Sequence, residues 1–209
     1  MGVFIFLYIF KKKTDPISEP IPAELPCART LSRGVPRAIL TGRSYHKAMK
    51  RTVYFIRHAI AEDREVYRGH DLDRPLTTRG KRKAQAIFAR LAERRSAPNV
   101  VITSAAKRAV QTAELFCKAF GLAAPKIDPA LNPGASPSTF RRLMDKLPAE
   151  AGCVALIGHE PDFSLAISEL TSNGTLDLRL KKCGIVEIEW SPGSGGLLTM
   201  SLPPDVLSR

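Results

Sequence analysis

An α/β fold with a mainly parallel sheet is predicted by three short apolar runs, each followed by a helical pattern, and by two alternating segments near the C-terminus. The runs cover residues 53–56, 100–103 and 153–157. All three are short and rich in β-branched, aromatic or other apolar residues, which reads as buried strand rather than helix. Strands that alternate with helices favour parallel pairing, because a parallel connection needs a crossover long enough to hold a helix.

The elements follow in order. Val53-Tyr54-Phe55-Ile56 ends abruptly in Arg57-His58-Ala59, placing a cation and an imidazole at the C-terminal end of a strand, where open α/β sheets bind ligands. Thr78 can cap a helix running to about Arg95, with Ala84, Ile87, Phe88 and Leu91 as its buried stripe. After the second strand, Ser104 is a good N-cap for a helix through Phe120, and Gly121 is placed to terminate it. On that helix Ala109, Ala113, Phe116 and Phe120 lie on or near one face, while Ser104, Arg108, Gln111 and Thr112 form a polar stripe. A further helix follows Pro137-Ser138 and buries Phe140, Leu143, Met144 and Leu147. The third strand ends in Gly158-His159-Glu160-Pro161; Gly158 permits a close approach, and Pro161 suits the start of a helix to Leu170. Residues 185–190 alternate like a half-exposed strand. Residues 197–202 can pair with them across residues 191–196, giving an antiparallel strand near the sheet's edge. No internal repeat is found.

Any one of these strand endings is ordinarily just a solvated polar terminus. Three of one kind bring Arg57 and His58, Arg108, and His159 to the same sort of position. Guanidinium groups hold phosphate or carboxylate oxygens in a fixed fork, and an imidazole can attack or shuttle a proton. Ser104 and the helix start behind it add a suitable place for an anion.

Arg57-His58, then Ser104-x-x-x-Arg108-Ala109-x-Gln111-Thr112, then Gly158-His159 resembles the histidine phosphatase (phosphoglycerate mutase-like) superfamily, and within it the small SixA-type phosphohistidine phosphatases. Asp73-Arg74-Pro75-Leu76-Thr77-Thr78-x-Gly80, Gly158-His159-Glu160-Pro161-Asp162 and Leu180-Lys181-Lys182-Cys183-Gly184 are similar to further blocks of that branch. The resemblance runs from about Thr52 to the C-terminus. It implies a three-layer α/β/α sandwich with a mainly parallel central sheet, and a phosphoenzyme mechanism with no metal and no cofactor. His58 is implied as nucleophile, with Arg57, Arg108 and His159 around the phosphoryl oxygens and Ser104 in support. The substrate implied is a phosphohistidine-bearing domain of a signalling or phosphotransfer protein.

Members that cleave phosphate esters usually supply a glutamate between the second and third motifs. Here that region reads Asp128-Pro129-Ala130-Leu131-Asn132-Pro133-Gly134 and offers none. Glu160 is the candidate proton donor; Glu62 and Asp63 read as a solvated acidic loop. An alkoxide leaving group needs a proton more than imidazole does, so a clamp and nucleophile without a dedicated acid suits an N–P bond. The alternatives are a small-molecule phosphoester phosphatase or mutase using the same His58 pocket, acting on a phosphorylated metabolite, and a non-catalytic phosphate-binding module. The presence of all four of Arg57, His58, Arg108 and His159 argues against the last.

Composition is that of one globular domain. The net charge is +12, and residues 1–48 carry eight Lys/Arg against three Asp/Glu. Arg64, Arg68, Arg79, Lys81, Arg82 and Lys83 cluster near the first motif, a field able to steer an acidic phosphoprotein. No aromatic-basic interleaving or zinc-finger spacing supports a nucleic-acid partner. Cys27, Cys117, Cys153 and Cys183 make no CxxC pair; Cys117 and Cys153 read as reduced core residues, and a cytoplasmic monomer is expected. His46 and His70 are not expected to be catalytic, His70 being a loop residue at the mouth of the site. Residues 1–48 differ in kind: eight apolar residues from Val3 to Phe10, too few to span a bilayer, then Lys11-Lys12-Lys13 and a Pro-rich stretch. They are expected to be a disordered or mis-assigned extension, with translation starting at Met49 and the phosphatase domain at 49–209.

Overall fold

The computed structural model describes residues 50–148 and 150–207; the expectations for residues 1–48, including Cys27, His46 and a start at Met49, lie outside them. Six strands form one sheet: β1 (Arg51–Arg57), β2 (Val100–Thr103), β3 (Lys126–Ile127), β4 (Cys153–Gly158), β5 (Ile185–Ser191) and β6 (Gly195–Leu202). Their spatial order is β3-β2-β4-β1-β5-β6. β4 pairs parallel to both β2 and β1, and β2 is parallel to β3. β5 runs antiparallel to β1, and β6 antiparallel to β5.

Five α-helices cover the two faces: α1 (Thr78–Ala92), α2 (Lys107–Phe120), α3 (Pro137–Asp145), α4 (Asp162–Ser172) and the short α5 (Pro204–Leu207). The period-2 alternation of β1 divides the core between them. Tyr54 and Ile56 pack with Ile87, Phe88 and Phe116 of α1 and α2. Val53 and Phe55 pack with Phe140, Met144 and Phe163 of α3 and α4. This is the expected three-layer α/β/α sandwich with a mainly parallel sheet.

Three local expectations change. The cap of α1 is Thr77, whose hydroxyl accepts from the Gly80 amide at 2.9 Å, and the helix ends at Ala92, short of Arg95. Thr77 also donates its own amide to the Ile60 carbonyl, which draws the chain into the cap one residue earlier than Thr78. Helix α4 starts one residue after Pro161 and continues past Leu170 to Ser172, stopping where Asn173 turns left-handed at φ 50°. β5 is not half-exposed: Ile185, Val186, Glu187, Ile188 and Trp190 are all buried, because β6 takes the edge and β5 lies inside the sheet. Of the cysteines, Cys117 and Cys183 are buried, whereas Cys153 is only partly so.

Candidate active site

Because β1, β4 and β2 are adjacent and parallel, their C-terminal ends open on one edge, and all three chemistry-bearing endings meet there. Arg57 closes β1 and His58 follows it. Gly158 closes β4 and His159 follows it. Ser104 follows β2, and Arg108 lies in the first turn of α2. His58, Ser104, Arg108 and His159 are buried, with His58 only 6% exposed. The two imidazole rings lie 5.2 Å apart between centroids, tilted by 53°.

Backbone groups clamp the end of β1. The His58 amide donates to the Gly158 carbonyl and the Arg57 amide to that of Gly184, while the Cys183 amide donates to the carbonyls of Arg57 and His58. Nδ1 of His58 lies 2.8 Å from the carbonyl oxygen of Ala59. A carbonyl can only accept, so Nδ1 carries the ring proton and Nε2 keeps a lone pair. Among the described residues no hydrogen bond occupies that Nε2. The Ala59 amide is itself held by Oγ1 of Thr112, which donates onward to the Arg108 carbonyl. Thr112 and Gln111, whose Oε1 accepts from the Leu76 amide, therefore spend the polar stripe of α2 on the chain around the site rather than on solvent.

A second chain of hydrogen bonds fixes the other imidazole. The Ala105 amide donates to Oδ1 of Asn132, which marks that oxygen as an acceptor. Oγ of Ser104, 3.0 Å from the same oxygen, must give it the hydroxyl proton. Nε2 of His159, 2.8 Å from Ser104 Oγ, is then the donor, and Nδ1 of His159 is left buried without a partner. This use of Ser104 corrects its reading as an N-cap. Helix α2 begins at Lys107 behind Ala106, and the Ser104 hydroxyl accepts from the Ala106 amide two residues short of the cap position.

Burial pushes His58 down to about 3; the Ala59 hydrogen bond opposes this, and Arg108, Arg57 and Arg74 reinforce it. Burial likewise pushes His159 down to about 2, with His58 and Arg108 adding to the effect. Both rings are neutral at pH 7. Burial also lowers the two guanidinium groups, Arg57 and Arg108, without approaching deprotonation. Arg57 donates Nη1 to the Leu180 carbonyl at 2.7 Å, and Arg108 donates Nη1 and Nη2 to Asp71. The Nε atoms of both arginines are buried without partners. Two cations, a bare ring nitrogen and unspent donors on one edge make a dry, positively charged pocket suited to phosphate.

Asp71 and Asn132 touch the candidate site residues Arg108 and Ser104, and sequence reasoning misses both. Asp71 caps Arg108, Arg74 and Arg64 together. Burial raises its carboxyl, yet the Arg64 hydrogen bond and the charges of Arg108 and Arg74 hold it well below the usual carboxylate range. An acid embedded among Arg64, Arg68 and Arg74 is the available signal. Asn132 stands in the segment where a glutamate would be sought, and what it brings to the site is an amide. Glu160 is already engaged, accepting from Oγ of Ser164 and from the Leu180 amide. Glu62 and Asp63 are exposed, as a solvated loop requires, and His70 is exposed beside the turn that carries Asp71. Gly158 does sit under a close approach: a Cβ there would stand 2.7 Å from the Phe163 ring.

Residues 53–133 match the model of the histidine phosphatase superfamily, branch 1. An uncharacterized protein of Picosynechococcus sp. is 34% identical over 136 residues, which cover 64% of this chain and 82% of that protein. The structure of the protein histidine phosphatase SixA complexed with tungstate superposes at TM-score 0.68 with 23% identity, covering 75% of this chain and 99% of that one. A mycobacterial glucosyl-3-phosphoglycerate phosphatase complexed with VO3 shares the fold at TM-score 0.58 and 16% identity, covering 73% of this chain and 99% of that one. Among the described residues no helix is long and apolar enough to cross a membrane.

Proposed function

This chain belongs to the histidine phosphatase superfamily and is a phosphatase; from that premise we propose that His58 is its nucleophile and that its substrate is phosphohistidine on a protein of a signalling or phosphotransfer relay. Nε2 of His58 attacks phosphorus, and the bond to the departing imidazole nitrogen breaks with its electron pair. That nitrogen is protonated from water, leaving phosphoryl-His58. Water then attacks phosphorus, His58 leaves as the neutral ring, and phosphate departs. Arg57 and Arg108 hold the equatorial oxygens, where charge sits during the transfer, and the unpartnered Nδ1 of His159, protonated as the phosphoryl anion enters, donates to a third. Ser104 keeps His159 oriented.

One observation carries the choice of an N–P bond over an ester. The segment that reaches the site from between the second and third motifs presents Asn132, whose Oδ1 takes the Ser104 hydroxyl and the Ala105 amide. An amide cannot protonate an alkoxide, while imidazole leaves with little help.

The phosphoester reading has its own support. Glu160 lines a cleft together with Arg57, and Asp162, two residues on, has its carboxyl raised by burial although the Gly134 amide bonds it. Phosphate release should be measured for the full chain and His58→Ala on a phosphohistidine protein and a panel of phosphate esters. Activity that needs His58 and favours phosphohistidine by at least about a hundredfold supports the proposal, since one general acid contributes about that much to ester cleavage. Esters turned over as fast, with a matching loss in Glu160→Gln, would replace it with the ester reading.

A further inference from the structure

Beside the phosphate pocket lies a second cleft of about 380 Å³, lined by Arg57, Glu160, Pro161 and Arg179. It shares the Arg57 guanidinium with the pocket. Arg179 is exposed, and among the described residues it enters no ion pair or side-chain hydrogen bond. Its charge is near enough to Arg57 to disfavour that group's protonated form. Two like charges lining one cleft repel unless an anion lies between them. The single carboxylate there, Glu160, is committed to Ser164 and the Leu180 amide. Arg57 serves the phosphoryl group and Glu160 makes no ion pair with Arg179, so among the described residues Arg179 is the cation of this cleft left to meet a ligand. That balance suits a monoanion and disfavours a second phosphate, which would meet Glu160 at close range.

We infer that this cleft is a specificity subsite, in which Arg179, sharing the cleft with Arg57, receives the carboxylate of an Asp or Glu side chain next to the phosphorylated residue. The inference rests on the proposed function and refines it: the phosphoryl group is held by the inner pocket, and its neighbour by the cleft. Leu180 couples the two, since its carbonyl accepts from Arg57 and its amide donates to Glu160.

The test uses the full chain and three phosphohistidine peptides that differ only in carrying Glu, Gln or Lys at the flanking positions. The wild-type protein should prefer the Glu peptide by about fivefold in kcat/KM, the worth of a well-placed partly exposed ion pair. In Arg179→Ala the preference should vanish, and in Arg179→Glu it should pass to a Lys-flanked peptide, through KM rather than kcat. Circular dichroism of both variants establishes that they fold. A Glu preference that survives Arg179→Ala overturns the subsite. If no peptide releases phosphate while esters are cleaved through His58, the substrate reading has failed by itself. The same ratio, taken on an ester pair with and without a carboxylate, then decides the subsite.

Discussion

Replacing Asp71 by Asn exchanges one oxygen for an NH2 group and should cost the enzyme its second arginine. Oδ2 of Asp71 accepts from Nη2 of Arg108 at 3.0 Å, and Oδ1 accepts from Nε of Arg74 at 3.1 Å and Nε of Arg64 at 3.2 Å. A carboxylate serves both sides, but an amide has one acceptor oxygen and one donor group. Whichever way it turns, the amide of the Asp71→Asn variant sets an NH2 against a guanidinium. Turned either way the NH2 meets a buried guanidinium, Arg108 at 3% or Arg74 at 11% side-chain exposure, and the charge that offsets both is gone; water can make good only the loss at Arg64, 72% exposed. A hydrogen bond to a charged group contributes about 1.5–3 kcal/mol, so kcat/KM should fall about ten- to hundredfold in Asp71→Asn. Arg64→Ala should stay within about twofold, as exposed pairs do. The assay is kcat/KM for Asp71→Asn alone and on an Arg108→Ala background. Asp71 is a positioning residue, so the second effect should collapse to about twofold or less in a double-mutant cycle. Wild-type kcat/KM in Asp71→Asn, or an undiminished loss on the Arg108→Ala background, would refute the reasoning.

Two further outcomes follow from the structure. Burial holds His58 at about 3 and His159 at about 2, below the ordinary imidazole value of 6.5. The unfolded chain therefore binds protons first as the pH falls, so stability is full above about pH 6.5 and declines from there towards pH 3. Thermal melting at pH 7.5 and pH 5 should show a drop that shrinks in His58→Gln; equal drops in both proteins would count against a buried neutral His58. Gly80 sits where a Cβ would collide with the Ile60 carbonyl oxygen. Gly80→Ala should lose about 2–3 kcal/mol in urea unfolding, and an unchanged midpoint would show that α1 can shift at no cost.

The fold is legible where periodicity and punctuation agree. β1, β2 and β4 stand out because each is a short apolar run, and α2 stops at the glycine that punctuates it, with Gly121 in the left-handed conformation at φ 65°. The departures have one cause. Thr78, Ser104 and the exposure of β5 read one way from their neighbours in sequence, whereas each is decided by a distant partner. The Ile60 carbonyl takes the Thr77 amide, Asn132 takes the Ser104 hydroxyl proton while His159 donates to the hydroxyl oxygen, and β6 covers β5.

The same division runs through the site. Arg57, His58, Arg108 and His159 are readable because strand ends and a helix start announce them. The groups that make them usable come from loops: Asp71 lies 37 positions from Arg108, and Asn132 lies 28 from Ser104. No period or cap marks such pairs. The reactive state of His58 is harder still to read, because its tautomer is set by a backbone carbonyl, that of Ala59, and any residue at 59 would supply one. What the sequence does carry is the side chain that aims this carbonyl. Thr112 holds the Ala59 amide through a hydroxyl that also bonds its own helix at Arg108. A single threonine thereby ties the backbone beside His58, the proposed nucleophile, to the turn that presents Arg108. The spacing from Arg108 to Thr112 is thus a mechanical link between two motifs of the candidate site, made by one member of the polar stripe on α2.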